Sequence, residues 1–264
     1  MVFVADASLK PSRDGHLAAR THPTDLFCLP HAGGSPSLFR RWQPALDPYL
    51  RVVPVQLPGR ERRIRETPWT DPKHAADCIA SQIAADVDRP YIVFGHSLGA
   101  IFAFEAALRL ESVLSVRYRP AGVIVSGQRP LHLLRPQEGP LRSELPEAEL
   151  TTLLRSYEGT PAEILDCAEV RTLFLKLVRA DFKLFESYRY LAASRLSCPL
   201  LILSGSNDVL VSVHELGRWD ELTREVATVR TFRGGHFYFE RDLRSVCASI
   251  IAFTHDVCRS AVVS

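Results

Sequence analysis

Residues Tyr91–Phe102 read YIVFGHSLGAIF. An apolar run enters Gly95-His96-Ser97-Leu98-Gly99 and leaves at once into a second apolar run of helix-favouring residues. Gly-x-Ser-x-Gly alone is weak, because small residues recur often. At a strand-to-helix junction it is specific. The glycines allow a sharp turn and close packing of helix on strand, and the serine hydroxyl is held out at the carboxyl edge of a sheet. Ser97 is therefore the candidate nucleophile. The rest of the chain must then supply the sheet, a base, an acid to orient it and an oxyanion site.

Outward from this junction the punctuation is regular. Strands are predicted at LFCLP (26–30), RVVPVQLPG (51–59), PYIVFG (90–95), AGVIVSG (121–127), CPLLILSG (198–205) and VATVRTF (226–232). The proline inside the second suits an irregular or edge position. Helices are predicted over about 71–87, 98–110, 213–223 and 240–258, the first with Asp71 as N-cap and Pro72 in its opening turn. Continuous apolar strands alternating with helices indicate an α/β fold, a mostly parallel central sheet with helices on both faces.

Residues 129–197 break this rhythm and contain no convincing strand. Thr160-Pro161-Ala162-Glu163 reads as a capping box with proline at the first helical position. The run EVRTLFLKLVRADFKLFESYRYL (169–191) sets Val170, Leu173, Phe174, Leu177, Val178, Phe182, Phe185 and Tyr188 on one helical face. Part of that face must be core. An all-helical insertion between two sheet strands is also a natural lid over a site. The expected organisation is a flexible leader (1–24), a core built from 25–128 and 198–264, and a helical lid insertion (129–197).

The 264 residues, 46% hydrophobic and 23% charged, suit an ordinary soluble globular chain. A net charge of +2 gives no reason to invoke nucleic acid. No apolar run approaches the roughly 18 residues a membrane span needs. The six scattered cysteines form no C-x-x-C pair and no zinc spacing, and reduced thiols in a cytoplasmic protein are expected.

A serine nucleophile needs a base. Among nine histidines, His236 stands out in RGGHFYFERD, just past the last strand. His96 points elsewhere on a tight turn, and His31 shapes a neighbouring loop. The acid is expected at Asp208, in SGSNDVLV after the preceding strand. Asp166, Asp181 and Asp220 are read as solvated. The chain order serine, acid, histidine is the one this sheet architecture uses. One oxyanion donor is expected from the backbone N–H of Leu98. The other comes from the PHAGG loop (30–34), with Ala32 the first choice and Gly33 the alternative. Neither a Walker A pattern nor a metal-ligand cluster is present, and the proposed reaction needs no cofactor and no metal.

With these residues assembled, the chain resembles the type II thioesterases of the α/β-hydrolase superfamily, the stand-alone editing enzymes of polyketide and nonribosomal peptide synthesis. LPHAGGSPSLFRRW, VQLPGRERR, VFGHSLGAIFAFEAA, GTPAEILD, LVRADFKLFESY, SGSNDVLV and GGHFYF carry the resemblance from about Leu26 onward. It implies a Ser97-Asp208-His236 triad. It also implies an acyl thioester substrate on the phosphopantetheine arm of an acyl or peptidyl carrier protein, and removal of stalled or wrong acyl groups. Phe174, Phe182 and Phe185 are then candidates to line an acyl chamber. Arg60, Arg62, Arg63 and Arg65 in GRERRIR form either a docking patch for acidic carrier proteins or a solvated basic loop paired with Glu61 and Glu66. A monomer is the default.

The nearest rivals share the triad: a product-releasing or medium-chain fatty acyl thioesterase, or a small-molecule carboxylesterase. An epoxide hydrolase would want an acidic residue at position 97. A non-catalytic binding protein on the same fold is a different class, and the intact triad positions argue against it.

Overall fold

The computed structural model describes residues 24–112, 119–157, 159–191 and 194–263. The expected leader lies outside them except for Thr24, which opens the first strand. Six strands form one sheet: β1 Thr24–Leu29, β2 Leu50–Pro54, β3 Tyr91–His96, β4 Pro120–Ser126, β5 Leu200–Gly205 and β6 Ala227–Phe232. Their order is β2-β1-β3-β4-β5-β6, and every neighbouring pair is parallel. Pro54 ends the edge strand β2, where a missing N–H costs the ladder least.

Seven α-helices are described: α1 Gln43–Leu46, α2 Pro72–Asp86, α3 Leu98–Ser112, α4 Glu147–Ser156, α5 Ala162–Asp166, α6 Ala168–Ser187 and α7 Leu243–Val263. Side chains alternate across each strand, so the sheet has two apolar faces. Phe27, Leu29 and Val93 pack with Ile79 of α2 and Ile101 of α3. Leu26, Cys28, Ile92 and Phe94 pack with Trp42, with Leu46 of α1 and with Ile250 of α7. Burial on both faces explains why the inner strands β3, β4 and β5 read as apolar runs, while the edge strands β2 and β6 are partly exposed. The Asp71 carboxylate caps α2, accepting from the His74 N–H at 2.6 Å.

The chain leaves β1 for the edge strand β2, then returns past β1 to β3. This reversal makes the carboxyl ends of β1 and β3 a topological switch point, where parallel sheets form their crevices. The loop Pro30–Gly34 follows β1 and Ser97 follows β3, so both are delivered to that crevice.

The helix expected over about 213–223 is present as a 3-10 helix, Val213–Leu222. Two local expectations are corrected. The Thr160–Glu163 capping box does not form: Pro161, at ψ 137°, is extended and itself precedes α5. Tertiary contact explains this, since the chain here runs against Phe237, so closely that a Cβ on Gly159 would lie 2.1 Å from its ring. The apolar stripe of α6 also begins later than expected. Val170 and Leu173 are 45% and 63% exposed, and continuous burial starts near Leu175.

The helices between β4 and β5 have a small core of their own, in which Leu150, Leu154 and Leu165 meet Leu175, Val178 and Phe182. The end of α6 belongs to the sheet instead, because Leu184 and Tyr188 join the α2–α3 face.

The junction of β3 and α3 tolerates no side chain at its glycines. A Cβ on Gly95 would lie 2.0 Å from the Gly99 carbonyl oxygen, and one on Gly99 would lie 2.3 Å from the Leu29 carbonyl oxygen. Gly95→Ala is expected to destabilise the fold by about 3 kcal/mol, since backbone rather than a movable side chain blocks the methyl. Urea unfolding would measure this. An unchanged midpoint would contradict the close packing of strand and helix.

Candidate active site

Ser97 stands between the last residue of β3 and the first of α3 with φ 56°, a left-handed conformation that costs a non-glycine residue about 1–2 kcal/mol. The turn is held from both sides. The Ser97 N–H donates to the Ser126 carbonyl at 2.8 Å, and the Ser97 carbonyl accepts from the Ala100 N–H at 2.9 Å and the Gln128 side-chain amide at 3.2 Å. Gln128, just past β4, has no motif around it and was not foreseen.

Asp208 and His236, the expected acid and base, come from the loops after β5 and β6. The His236 Nδ1 lies 2.7 Å from the Asp208 Oδ2, and the Asp208 side chain is fully buried. The other carboxylate oxygen accepts from the Leu210 N–H at 2.9 Å. An ionised carboxylate can only accept, so Nδ1 carries the proton and Nε2 is left as a proton acceptor. Close backbone contact brings the two loops together: the Asn207 N–H donates to the Gly234 carbonyl at 2.9 Å, and a Cβ on Gly205 would meet the Gly235 carbonyl oxygen at 2.1 Å. Ser97 and His236 line one cavity of about 420 Å³, together with Leu98, Ala32 and His31.

The loop after β1 forms a turn closed by the Gly34 N–H donating to the His31 carbonyl at 2.9 Å. Its third residue, Gly33, has φ 78°, as a type II turn requires. The Gly33 N–H donates to the Asp181 carboxylate at 2.7 Å. Of the two loop residues proposed as oxyanion donors, Gly33 is thus committed elsewhere, while Ala32 lines the cavity beside Leu98.

Two expectations fail at this loop. Asp181 is not solvated but 1% exposed, and Arg60 is 4% exposed and pairs with it at 2.8 Å. Arg60 therefore cannot present a surface charge. Arg63 is half-buried, paired with Glu66 at 2.7 Å and placed 5.6 Å over the Trp69 ring. Of the residues proposed for docking, Arg62 is exposed, as is its neighbour Arg65.

Phe182 and Phe185 line the cavity wall contributed by α6. Phe174 is not among the lining residues. Its ring packs over Gly33, where an added Cβ would meet it at 3.0 Å. Leu154 and Tyr157, at the end of α4, extend the cavity wall with Leu134 and Phe237.

Two more histidines flank the site, His31 in the cavity wall and His96 buried behind it. His96 is buried, with Nδ1 2.9 Å from the Ser126 hydroxyl, which is in turn 2.6 Å from the Tyr238 hydroxyl. Burial, and then the neighbouring His236, hold its pKa well below the ordinary histidine range. His31 is pushed down to about 3, first by burial and then by His236 and Arg60. Both stay neutral in the folded state at pH values where the unfolded chain takes up their protons. Stability is therefore complete above about pH 6.5 and falls as pH drops toward 3, with a slope of about 1.4 kcal/mol per pH unit for each histidine. The melting temperature is expected to fall from pH 7 to pH 5, and His31→Gln should flatten that fall. Equal slopes in the two proteins would count against the burial of a neutral His31.

No cluster able to hold a metal ion is found among the described residues, and none of their helices is long and apolar enough to cross a membrane. The six cysteines are unpaired. Residues 24–254 match the family model described as the thioesterase domain. The chain is 34% identical over 241 residues to the "Probable cadicidin biosynthesis thioesterase" of Streptomyces griseus, spanning 89% of this chain and 65% of that one. It is 34% identical over 216 residues to the gramicidin S biosynthesis protein GrsT of Aneurinibacillus migulanus, covering 81% of this chain and 82% of that protein. Among solved structures, the type II thioesterase BorB from the borrelidin biosynthetic cluster superposes with a TM-score of 0.77 at 34% identity, over 90% of this chain and 94% of BorB. A serine on a strained strand-to-helix turn, a paired carboxylate and imidazole, and a family match over nearly all the described residues converge: the chain belongs to the thioesterase family.

Proposed function

We propose that the protein hydrolyses acyl thioesters carried on the phosphopantetheine arm of acyl or peptidyl carrier proteins, clearing stalled or aberrant acyl groups in polyketide or nonribosomal peptide synthesis. The observation that carries this reading is that His236, paired with Asp208, shares a cavity with Ser97 under a wall formed by Phe182 and Phe185. The biosynthetic roles in the relatives' names support the choice of substrate.

Ser97 Oγ attacks the thioester carbonyl while His236 Nε2 takes its proton. The resulting oxyanion is met by the backbone N–H groups of Leu98 and Ala32, each such donor contributing roughly 2.7–4 kcal/mol to the transition state. Collapse breaks the C–S bond, and the imidazolium returns its proton to the leaving sulfur. The arm departs as a free thiol and the acyl group stays on Ser97. A water deprotonated by His236 then attacks the ester; the C–Oγ bond breaks, the imidazolium returns its proton to Ser97 Oγ, and the carboxylic acid is released. Asp208 stays ionised throughout and stabilises the imidazolium. These steps need no cofactor and no metal. The acyl chain lies against Phe182 and Phe185, where each buried methylene contributes about 0.8 kcal/mol. The carrier domain docks from outside, with Arg62 and Arg65 as exposed cations for its acidic surface. We place the enzyme in the cytoplasm as a monomer.

The test compares one acyl group on a carrier protein, on N-acetylcysteamine and on an oxygen ester. The carrier-bound thioester is expected to give the highest kcat/KM. Turnover of the oxygen ester equal to that of both thioesters would make the enzyme a carboxylesterase instead.

A further inference from the structure

We propose that Asp181 and Arg60 are a positioning pair. They hold the turn after β1 in the orientation that makes Ala32, not Gly33, the second oxyanion donor, and they tie that donor to the seating of α6. This inference rests on Ser97 being the nucleophile.

The pair grips the turn at two successive residues. Asp181 Oδ2 accepts from the Gly33 N–H at 2.7 Å, and Arg60 Nη1 donates to the Gly34 carbonyl at 2.8 Å. Asp181 Oδ1 accepts from Arg60 Nη2 at 2.8 Å, closing the circuit. Arg60 is anchored in turn by its Nε, which donates to the Pro58 carbonyl at 3.3 Å. The two side chains are 4% and 2% exposed, so neither charge is shared with solvent.

Such an arrangement is needed because glycine leaves the turn undecided. A four-residue turn has two common forms that differ by rotation of its central peptide by about 180°, and glycine at the third position accepts both. The central peptide here joins Ala32 to Gly33. In the observed form, with Gly33 at φ 78°, the Gly33 N–H meets the carboxylate. Rotating the peptide would set the Ala32 carbonyl oxygen in place of the Gly33 N–H against the buried carboxylate and break the clamp; the Ala32 N–H belongs to the preceding peptide and keeps its place beside Leu98 only while the clamp holds the turn there. A charge-assisted hydrogen bond in a buried site makes the choice decisive. Buried ion pairs seldom add net stability, so selection of one backbone form is the better account of this one.

The same contacts link the turn to the helical insertion. Asp181 lies on α6, and so do Val178 and Phe174, which a Cβ on Gly33 would meet at 2.9 and 3.0 Å. Movement of α6 away from the sheet would withdraw the carboxylate from the turn. The oxyanion site is thus complete only while α6 is seated.

Two variants test the pair. Asp181→Asn keeps the shape and removes the charge. Arg60→Met/Asp181→Leu removes both charges and fills the space with apolar atoms, a replacement that buried ion pairs tolerate. In both, kcat is expected to fall at least 10-fold, toward the roughly 10²-fold loss of a missing oxyanion donor, with KM within about threefold of wild type. A trifluoromethyl ketone analogue, whose Ser97 adduct carries the oxyanion, should lose affinity by the same factor. The product carboxylic acid should bind as before. Wild-type kcat and ketone affinity in either folded variant would overturn the inference, as would equal losses for ketone and product acid, which mean a collapsed cavity. Ketone affinity is read without any thioester, so a wild-type enzyme that ignored carrier-bound substrates would refute the proposed function while leaving this measurement intact.

Discussion

Ser97→Ala is expected to lower kcat for an acyl thioester by on the order of 10⁶-fold, about 8 kcal/mol of barrier, while the protein remains folded. The loss is this large because the base, the acid and the oxyanion donors all act through one oxygen atom. Without it, His236 has no proton to take, and the remaining groups act only on water. Intact mass after mixing with substrate should show acylated wild type and no adduct on the variant. Stability should hardly change, since alanine is as strained as serine at φ 56°. Ser97→Gly sharpens the point. It should be equally inactive yet up to about 1 kcal/mol more stable, because glycine accepts the left-handed conformation without the steric penalty. An inactive but stabilised variant would show that the fold bears a cost to hold this hydroxyl at the crevice. A Ser97→Ala enzyme retaining a hundredth of the wild-type rate would place the nucleophile elsewhere.

The fold was legible wherever local sequence decides local structure. Each of the six strands lies within two residues of its predicted start. The sheet's two buried faces leave continuous apolar runs that only a covered parallel sheet explains. The placement of Ser97, Asp208 and His236 followed from the same logic, since each comes directly after a strand and parallel strands deliver their carboxyl ends to one edge. What stayed illegible depends on contacts between distant segments. The Arg60–Asp181 pair spans 121 residues, and no local pattern joins its members. A partial signal did exist. Asp181 lies three residues after Val178, four after Leu177 and four before Phe185, so it falls inside the apolar stripe of α6 rather than opposite it. A carboxylate in that stripe has to be paired, which should have argued against reading it as solvated. Arg60 gave no such warning, because its neighbours Arg62, Arg63 and Arg65 made the whole segment look like a surface loop. Gln128 and the Ser126–Tyr238 link behind His96 belong to the same class, polar groups whose partners arrive from distant segments.

The second large effect is expected for Asp208→Asn, and its size follows from a neighbour rather than from the lost charge alone. An asparagine here has one carbonyl and one amide to place, and the Leu210 N–H decides which goes where. That N–H donates to the Asp208 Oδ1 at 2.9 Å. It needs an acceptor, so the asparagine carbonyl will face Leu210 and the amide will face His236 Nδ1, where the Asp208 Oδ2 now lies at 2.7 Å. The amide donates and cannot accept, so Nδ1 must give up its proton and Nε2 must carry it. His236 then presents N–H instead of a lone pair toward Ser97 and cannot act as the base. A fall in kcat of about 10⁴-fold follows, as in other triads with this change. Because Asn is nearly isosteric with the fully buried Asp208 side chain and keeps the Leu210 N–H satisfied, the melting temperature should stay close to wild type. Nitrogen-15 NMR of the histidine side chains distinguishes the outcomes: Nδ1–H in wild type and Nε2–H in the variant. An unchanged tautomer together with near-wild-type turnover would mean that Asp208 only supports the loop, and that His236 is oriented by something other than the carboxylate beside it.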